Sequence, residues 1–333
     1  MDTQKLRQSL NKKDISTDLS DPDCWLSTGN MALNYILSNN FNEGIPNRRS
    51  TLLFGPSGTG KSLLLGNIAK NAQDKGYMVV YIDSEGAIDT KYLTRIGLSL
   101  AETDFLPVRV STVEDTASVI SDLMRTVSPA DKVFVALDSL SMLEPAQELE
   151  KFQDKGELQN DQGRTAKKFK SLVKNVNAKI GNRDMFFVYT AHAYANQDIM
   201  NGKGKWLISG GEGQLYIPSM SLLLDKLKLK EGTENIGFQM KAEIYKSRFS
   251  MLGAKSTLKI PYDAGIDLYD GLLPIFEKLG MVSKNGAWYN YIVDGKTIKF
   301  QSLALHEHAD AILNQISSSE ADDPTAVADD DVV

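Results

Sequence analysis

The sequence predicts an α/β fold with a mostly parallel central sheet. After residue 50, three apolar runs alternate with helix-like segments, and each run has the continuous hydrophobicity of a strand buried on both faces. These runs cover residues 78–83, 133–138 and 185–190. A further run, 238–245, alternates between apolar and polar residues, and together with 255–260 it predicts an antiparallel extension at the sheet edge. Ligands of such sheets bind at the carboxyl ends of the parallel strands, where we expect the chemistry.

An eight-residue segment between a predicted strand and a predicted helix matches the phosphate-binding pattern G-x-x-x-x-G-K-S. Its residues are, in order, Gly55, Pro56, Ser57, Gly58, Thr59, Gly60, Lys61 and Ser62. Glycines allow successive backbone N–H groups to surround a β-phosphate, Lys61 reaches the β- and γ-phosphates, and the Ser62 hydroxyl ligates Mg²⁺. The segment therefore predicts a nucleotide bound together with Mg²⁺.

Composition favours a cytoplasmic globular protein without a membrane partner. The chain has 333 residues and is 42% hydrophobic, which is enough for one large domain or two modest ones. Its single cysteine, Cys24, excludes an internal disulfide, and no apolar signal segment follows Met1. No run approaches the roughly 18 consecutive apolar residues that a membrane-spanning helix requires.

The net charge of −6 is unevenly distributed along the chain. Residues 320–331 hold acids and no Lys or Arg, and we expect the chain from about residue 317 to be a disordered tail. This tail either competes with nucleic acid for a basic surface or only keeps an oligomer soluble. Residues 164–183, by contrast, hold no acid and carry the cations Arg164, Lys167, Lys168, Lys170, Lys174, Lys179 and Arg183. Such a basic helix face is either simply solvated or contacts phosphates, and the absence of acids favours phosphate contact.

Three polar side chains follow predicted strands, where they would surround the phosphate-binding loop. Asp138 closes an apolar strand and has the place of the acid that orients Mg²⁺ and its waters. Glu85 follows another strand and is placed to orient and deprotonate an attacking water, or it is simply an exposed loop residue. His192 follows a third strand, where it either senses a γ-phosphate or is a satisfied core histidine.

Several motifs, scattered along the chain but in a constant order, resemble those of the bacterial RecA recombinases. They are the segments 81–92, 265–273 and 284–289. The likeness is greater to the tailed-phage recombination proteins of the UvsX type. The features shared with these phage proteins are Lys246-Ser247-Arg248, the Gly210-Gly211 loop and the histidine His192. The resemblance covers about residues 27–291.

This resemblance implies a RecA-like P-loop NTPase core that hydrolyses ATP with Mg²⁺ in a DNA-dependent manner. It also implies a protein that forms helical filaments on single-stranded DNA, pairs that strand with homologous double-stranded DNA and exchanges strands. Mediator proteins and single-strand-binding proteins are the expected partners, in the cytoplasm of a bacterial host cell if the protein is encoded by a phage. Two alternatives stay open: a ring-forming replicative helicase on the same core, and a catalytically weak ATP-binding paralogue that acts as a scaffold.

The resemblance also assigns roles to individual residues. Together with Lys61, it implies Glu85 as the catalytic carboxylate and His192 as the γ-phosphate sensor. Lys246 and Arg248 complete the implied catalytic set as cations that reach across a subunit interface to a neighbour's ATP. The adenine site would be formed by Asp89 and Tyr92, with Tyr92 stacking on the base.

Two predicted loops are candidates for DNA contact. The first, about residues 148–163, leads into the basic helix, whose Arg164, Lys167 and Lys168 we expect to contact phosphates. The second, residues 195–213, carries the candidates Lys203, Lys205, Trp206, Gly210 and Gly211. Lysines attract phosphate and an exposed aromatic ring stacks on a base, although Trp206 has the alternative role of a core residue.

The expected domain limits follow from these assignments. We expect residues 1–45 to form a short helix or arm for subunit contact and residues 46–275 to form the ATPase core. Residues 276–316 form a small C-terminal segment packed on the core, and 317–333 form the acidic tail.

Overall fold

The computed structural model describes residues 2–11, 21–156, 162–196, 206–262 and 264–321 of the chain. Within these ranges the helices are α1 (Thr3–Asn11), α2 (Met31–Ser38), α3 (Lys61–Asp74), α4 (Thr90–Arg95), α5 (Val113–Thr126), α6 (Ala146–Lys155), α7 (Gln162–Ile180), α8 (Gly213–Tyr216), α9 (Leu272–Lys278) and α10 (Leu305–Ala321). Among these described helices, none is long and apolar enough to cross a membrane.

The strands, in chain order, are β1 (Trp25–Leu26), β2 (Ile45–Pro46), β3 (Ser50–Gly55), β4 (Met78–Asp83), β5 (Phe105–Arg109), β6 (Val133–Asp138), β7 (Met185–Ala195), β8 (Trp206–Ile208), β9 (Met220–Glu231), β10 (Glu234–Ser247), β11 (Lys255–Pro261), β12 (Ser283–Asn285), β13 (Trp288–Val293) and β14 (Lys296–Gln301).

The central sheet has the strand order β11-β10-β9-β3-β7-β6-β4-β5. The strands from β9 to β5 pair in parallel, whereas β10 and β11 add to β9 in antiparallel pairs. The predicted α/β fold class is therefore confirmed, and so is the antiparallel extension at residues 238–245 and 255–260. Because parallel strands end at the same edge of a sheet, the segments after β3, β4, β6 and β7 meet at one edge.

Helices cover both faces of this sheet. One core contains Leu64 of α3 with residues of the strands, and the other contains Phe169 of α7 and Ile120 of α5. Apolar residues recur at helical spacing along α7: Phe169, Leu172, Val173, Val176 and Ile180 are buried, and Ala166 is half-buried. The basic residues of α7 consequently lie on its outer side, as their helical spacing predicted.

The segment from β1 to β2 packs against a later part of the same chain, near residues 267–270. The side-chain amide of Asn30, which begins α2, donates hydrogen bonds to the carbonyl oxygens of Asp267 (2.7 Å) and Asp270 (2.8 Å). Leu33 of α2 is fully buried. This part of the predicted arm is thus a helix within the core, whereas α1 remains at the surface with Leu6 45% exposed.

The C-terminal region also adds to the same core. Tyr291 of β13, Phe300 of β14 and Ile312 of α10 are buried together with residues of the central sheet. α10 continues to Ala321, past the predicted start of a disordered tail at residue 317, since no Gly or Pro interrupts it. Residues 322–333 of that tail lie outside the described residues, and the predicted domain limits stay predictions.

Candidate functional site

The phosphate-binding loop connects the end of β3 to the start of α3. A Cβ built on Gly55 would lie 2.0 Å from the carbonyl oxygen of Leu224, so only glycine allows this close approach to β9. Gly60 precedes α3 with φ 89°, and a Cβ there would lie 2.5 Å from Cε of Met240. Inside the loop, the hydroxyl of Thr59 donates to the carbonyl oxygen of Pro56 at 2.9 Å. The loop therefore has the tight backbone that its motif predicted.

Lys61 extends its ammonium group back into this loop. Its Nζ donates to the carbonyl oxygens of Gly55 (3.1 Å) and Pro56 (2.8 Å), and the residue is only 6% exposed. Burial lowers the pKa of Lys61 to about 8, even though the carboxylates of Asp138 and Glu85 act to raise it. An anion bound in the loop would supply the charge partner that this buried cation needs.

Asp138, at the end of β6, is held by two hydroxyl groups. The Tyr81 hydroxyl donates to its Oδ2 at 3.2 Å and the Thr190 hydroxyl donates to its Oδ1. Burial and the adjacent Asp138 carboxylate raise the pKa of Tyr81 well above its usual value, so the phenol remains a donor. Sequence reasoning missed both hydroxyl residues, although each is a polar interruption in an apolar strand.

The oxygen groups near the loop fit a nucleotide-bound Mg²⁺. Ser62 is exposed at the second position of α3. The carboxylate of Asp138 lies at the carboxyl end of β6, on the same side of the sheet as the loop. Among the described residues, no cluster of three or more His, Cys, Asp or Glu side chains forms a dedicated metal cage. Mg²⁺ that arrives with a nucleotide needs only one or two protein oxygens, because phosphates and waters supply the remaining ligands.

Glu85 and His192 form a pair at the same edge. Nε2 of His192 lies 2.9 Å from Oε1 of Glu85. The side chain of His192 is 29% exposed and that of Glu85 is 28% exposed. Burial acts to raise the pKa of Glu85, but the hydrogen bond from His192 and the charge of Lys61 outweigh it and lower that pKa. Oδ1 of Asp83 accepts the backbone N–H groups of Glu85 (3.0 Å) and Gly86 (2.8 Å), which orients the turn that carries the carboxylate.

Asp89 and Tyr92 are placed next to α3 by the short helix α4. Asp89 begins α4, and its Oδ1 accepts the backbone N–H of Tyr92 at 2.9 Å. The Tyr92 hydroxyl accepts from the side-chain amide of Asn67 (2.6 Å) and donates to the carbonyl oxygen of Leu63 (3.1 Å). Burial raises the pKa of Tyr92 to about 12. The predicted adenine residues thus lie beside the helix that starts at the phosphate-binding loop.

Lys246 and Arg248 lie near the amino ends of the parallel strands, whereas the phosphate-binding loop follows the carboxyl end of β3. Lys246 pairs with Ser221, near the start of β9, and β9 runs parallel to β3. Arg248 is close to Arg49, which precedes β3, and its charge adds to the effect of burial in lowering the pKa of Arg49. Since the six-residue strand β3 spans about 16 Å, these cations and the loop of the same chain are well separated.

Lys246 is partly buried at this second edge. Its Nζ donates to the carbonyl oxygen of Pro218 at 2.6 Å and to that of Tyr216. Burial lowers the pKa of Lys246, and the nearby Arg248 lowers it further. Among the described residues, neither of these two neighbouring cations is paired with a carboxylate. They lie near the amino end of β3, and the phosphate-binding loop follows the carboxyl end of the same strand.

Residues 14–267 match the family described as the RecA N-terminal domain. The chain belongs to the RecA family. It is 27% identical over 291 residues to Protein RecA of Teredinibacter turnerae, which covers 86% of this chain and 80% of that protein. It is also 26% identical over 310 residues to Protein RecA of Paracoccus denitrificans, which covers 91% of this chain and 83% of the relative. The RecA-type part of the resemblance seen in the motifs is thereby confirmed.

The predicted basic residues of α7 have different surroundings in this RecA-family chain. Arg164 is exposed and its guanidinium donates to Oε1 of Gln147 at 3.1 Å, and Lys167 is exposed beside it. Lys168 instead forms an ion pair with Glu114 of α5 and lines a groove between α5 and α7. Arg164 and Lys167 therefore face solvent as a phosphate-binding pair would, whereas Lys168 is engaged within the chain.

The second predicted loop is described at its ends. Lys203 and Lys205 lie outside the described residues. Trp206 begins β8, which pairs with β7, and its half-buried ring packs against the core, in agreement with the alternative role considered for it. A Cβ on Gly210 would lie 2.4 Å from the ring of Phe169, and a Cβ on the next residue, Gly211, would contact α7. These glycines allow the loop to pack directly on the basic helix.

A cavity of about 1050 Å³ separates the two predicted DNA loops. Tyr194 of β7 and Phe152 of α6 line it and are 56% and 53% exposed. Sequence reasoning missed both aromatic residues, although each lies within or next to a predicted loop. Exposed rings beside a cavity are suited to stacking on unpaired bases.

Proposed function

We propose that this protein is a DNA-dependent ATPase recombinase that forms helical filaments on single-stranded DNA and exchanges strands with homologous duplex. Membership of the RecA family supports recombination and repair as the general function, with ATP hydrolysis at the level of the family. The arrangement of the nucleotide site supports the filament in particular.

The observation that carries the proposal is the separation of Lys246 and Arg248 from the phosphate-binding loop of the same chain. The loop follows the end of β3, whereas the two cations lie beside its start. A head-to-tail stack of subunits would bring the cations of one copy against the ATP of the next. A head-to-tail interface generates a ring if the rotation between copies closes and a helical filament if it does not, and the proposal takes the second case.

The side chains around the loop divide the work of hydrolysis. The loop and Lys61 hold the phosphates, and Glu85 orients and deprotonates the attacking water. Ser62 and Asp138 would hold Mg²⁺, which when bound neutralises charge on the phosphates. Cations supplied by a neighbour stabilise the charge that develops during transfer, as an arginine finger does.

A continuous set of contacts joins the nucleotide edge to the proposed DNA surface. The carbonyl oxygen of His192 accepts the backbone N–H of Ser209 at 2.9 Å, directly before the glycines that pack on α7. Tyr194 lies two residues beyond His192 on β7. We propose that a change at the γ-phosphate moves this segment, so that Tyr194 and Phe152 stack on bases in the ATP state only.

We propose that α1 supplies a further subunit contact. It presents Leu6 to solvent, with Leu10 half-buried on the same helix, and residues 12–20 that follow it lie outside the described residues. The groove between α5 and α7 has a volume of about 520 Å³ and is lined by apolar residues such as Ile120 and Leu172. We propose that this apolar lining receives the exposed face of α1 from a second copy.

We further propose kinship with the tailed-phage recombination proteins of the UvsX type, and hence action in the cytoplasm of a bacterial host. Support comes from the shared Lys246-Ser247-Arg248 motif and the histidine at His192. Under this proposal, mediator and single-strand-binding proteins control loading onto DNA.

The decisive experiment is a joint-molecule assay with circular single-stranded DNA and linear duplex. We expect joint molecules with homologous duplex in the presence of ATP and Mg²⁺, and none with heterologous duplex. Electron microscopy of the same reactions should show helical filaments on DNA. Closed rings that unwind duplex without any requirement for homology would instead favour the replicative helicase.

A further inference from the structure

Lys226 lies beside the phosphate-binding loop, although it belongs to a strand that is distant in sequence. β9 runs parallel to β3 with Leu223 next to Phe54, so the residues that follow Leu223 pass alongside the loop. A Cβ built on Gly58, at the middle of the loop, would lie 2.6 Å from Nζ of Lys226. The ammonium group of Lys226 therefore reaches the part of the loop that surrounds phosphates.

The side chain of Lys226 lies on the face of the sheet that carries α3. Leu222 and Leu224 are buried in the core shared with α3, and alternate residues of a strand point to the same face. α7, with the exposed Arg164, covers the opposite face. Lys226 is thus directed toward the nucleotide and away from the proposed DNA surface.

No hydrogen-bond or ion-pair partner of the Lys226 ammonium exists within the part of the chain that the structure describes. The adjacent acid, Asp225, points to the other face and accepts the backbone N–H of Lys226 at 2.8 Å. The charge of Lys226 also acts on Lys61, whose pKa it lowers in addition to the effect of burial. Two cations that converge on one loop repel each other unless an anion lies between them.

We propose that Lys226 is a further catalytic residue, a cation of the same chain that contacts the β- and γ-phosphates of ATP beside Gly58. The inference rests on the proposed function only in taking ATP as the ligand of the loop. It adds a cation to the site before any neighbour is present, unlike Lys246 and Arg248, which act across an interface.

The negative charge that develops during hydrolysis explains what Lys226 would do. The oxygen of water bonds to the γ-phosphorus, its proton passes to Glu85, and the bond from the γ-phosphorus to the bridging oxygen breaks. The leaving ADP takes the electron pair, so negative charge develops on the bridging oxygen between the two phosphates. An ammonium group at the middle of the loop stabilises that charge. Because Lys226 is exposed to solvent, we expect roughly a tenfold effect, far below that of a buried arginine finger.

The test compares full-length Lys226→Met with Lys228→Met. Lys228 is exposed two residues further along the same face of β9, which makes it a matched control. For Lys226→Met we expect about tenfold weaker binding of ATP, about tenfold slower turnover and a smaller loss of ADP affinity, because ADP keeps only the β-phosphate contact. Lys226→Arg should restore most of the ATP affinity, since it keeps the charge.

Nucleotide affinity is measured by fluorescence titration without DNA, and turnover with single-stranded DNA. If Lys226→Met matched Lys228→Met in ATP affinity and turnover, the proposal would be overturned. A loss of DNA affinity with unchanged ATP affinity would overturn it as well and would assign Lys226 to DNA phosphates. Failure of strand exchange in the wild type would refute the recombinase function and leave the Lys226 result intact, since ATP binding is tested separately.

Discussion

The two ends of β3 present opposite chemistry. At its carboxyl end, the phosphate-binding loop, Lys61 and the carboxylates of Glu85 and Asp138 form the candidate nucleotide site. At its amino end, Lys246 and Arg248 form a cationic edge in which burial and mutual repulsion lower the pKa of Lys246. Within the described parts of the chain, the carboxyl end holds cations and carboxylates together, whereas no carboxylate is paired with Lys246 or Arg248 at the amino end. Under the proposed function, the cationic end of one subunit would complete the nucleotide site of the next, so ATP hydrolysis would be efficient only in an assembly.

Mixing variants of the two ends gives the largest expected effect. Lys61→Ala and Arg248→Ala should each lose at least about 100-fold of the DNA-stimulated ATPase rate, because phosphate binding or charge stabilisation fails. In an equal mixture, about a quarter of head-to-tail interfaces would combine an intact loop with an intact Arg248. We therefore expect partial recovery of the rate, measured as phosphate release on single-stranded DNA.

The control mixture combines Lys61→Ala with Glu85→Gln, two variants of the same end. No interface in that mixture contains an intact carboxyl end, so the rate should stay at the level of the single variants. If Lys61→Ala with Arg248→Ala recovered nothing at any ratio, the two ends of β3 would not belong to one shared site.

Glu85→Gln separates binding from chemistry at the carboxyl end. The amide keeps the shape of the side chain but cannot deprotonate water, so we expect about 100-fold slower hydrolysis with ATP affinity nearly unchanged. Filaments on DNA should then persist after free ATP is removed, as seen by electron microscopy. Glu102→Gln, an exposed change in a turn, is the control. Wild-type turnover in Glu85→Gln would exclude Glu85 as the base.

Thr190→Val tests the support of Asp138 and should have a smaller effect. The variant removes the hydroxyl that donates to Oδ1 of Asp138, which should lower the free energy of unfolding by about 1–2 kcal/mol and slow turnover about tenfold. Thr116→Val removes a comparable buried hydroxyl, which donates at 3.0 Å to the carbonyl oxygen of Thr112, the residue that caps the start of α5. It should lower stability, measured by urea unfolding, without a selective loss of turnover. Equal turnover in the two variants would show that the hydroxyl does not position Asp138.

The same two ends show what the sequence alone can predict. The buried strands follow from local patterns: β4 and β6 have the predicted limits, whereas β7 continues five residues past the predicted 185–190. The support of Asp138 by Tyr81 and Thr190 was not predicted, because it depends on which strands are neighbours in the sheet. Lys226 was missed for the same reason, since only the parallel pairing of β9 with β3 brings it to Gly58.

The DNA side illustrates a second limit. The charge pattern of residues 164–183 predicted a basic helix face, but that pattern cannot show that Lys168 pairs with Glu114 on another helix. The sequence left two roles for Trp206, because an aromatic ring can either pack in a core or stack on a base. Only its position on β8, paired with Ala195 of β7, places its ring against the core.

The smallest expected effect is a dependence on pH at the carboxyl end of β3. The pKa of Lys61 is about 8 in the folded protein, because burial disfavours the charged form, against 10.5 for an unperturbed lysine. Between these values the unfolded chain binds more protons than the folded one, so the free energy of unfolding should rise with pH from about 8 upward. Bound phosphate favours the charged form, so ATP binding should take up a proton above pH 8. From about pH 7.5 to 8.5 we expect roughly threefold weaker ATP affinity, measured by fluorescence titration. Lys61→Arg stays charged throughout and should remove the dependence, whereas an affinity that stays constant in the wild type would show that Lys61 is already protonated in the free loop.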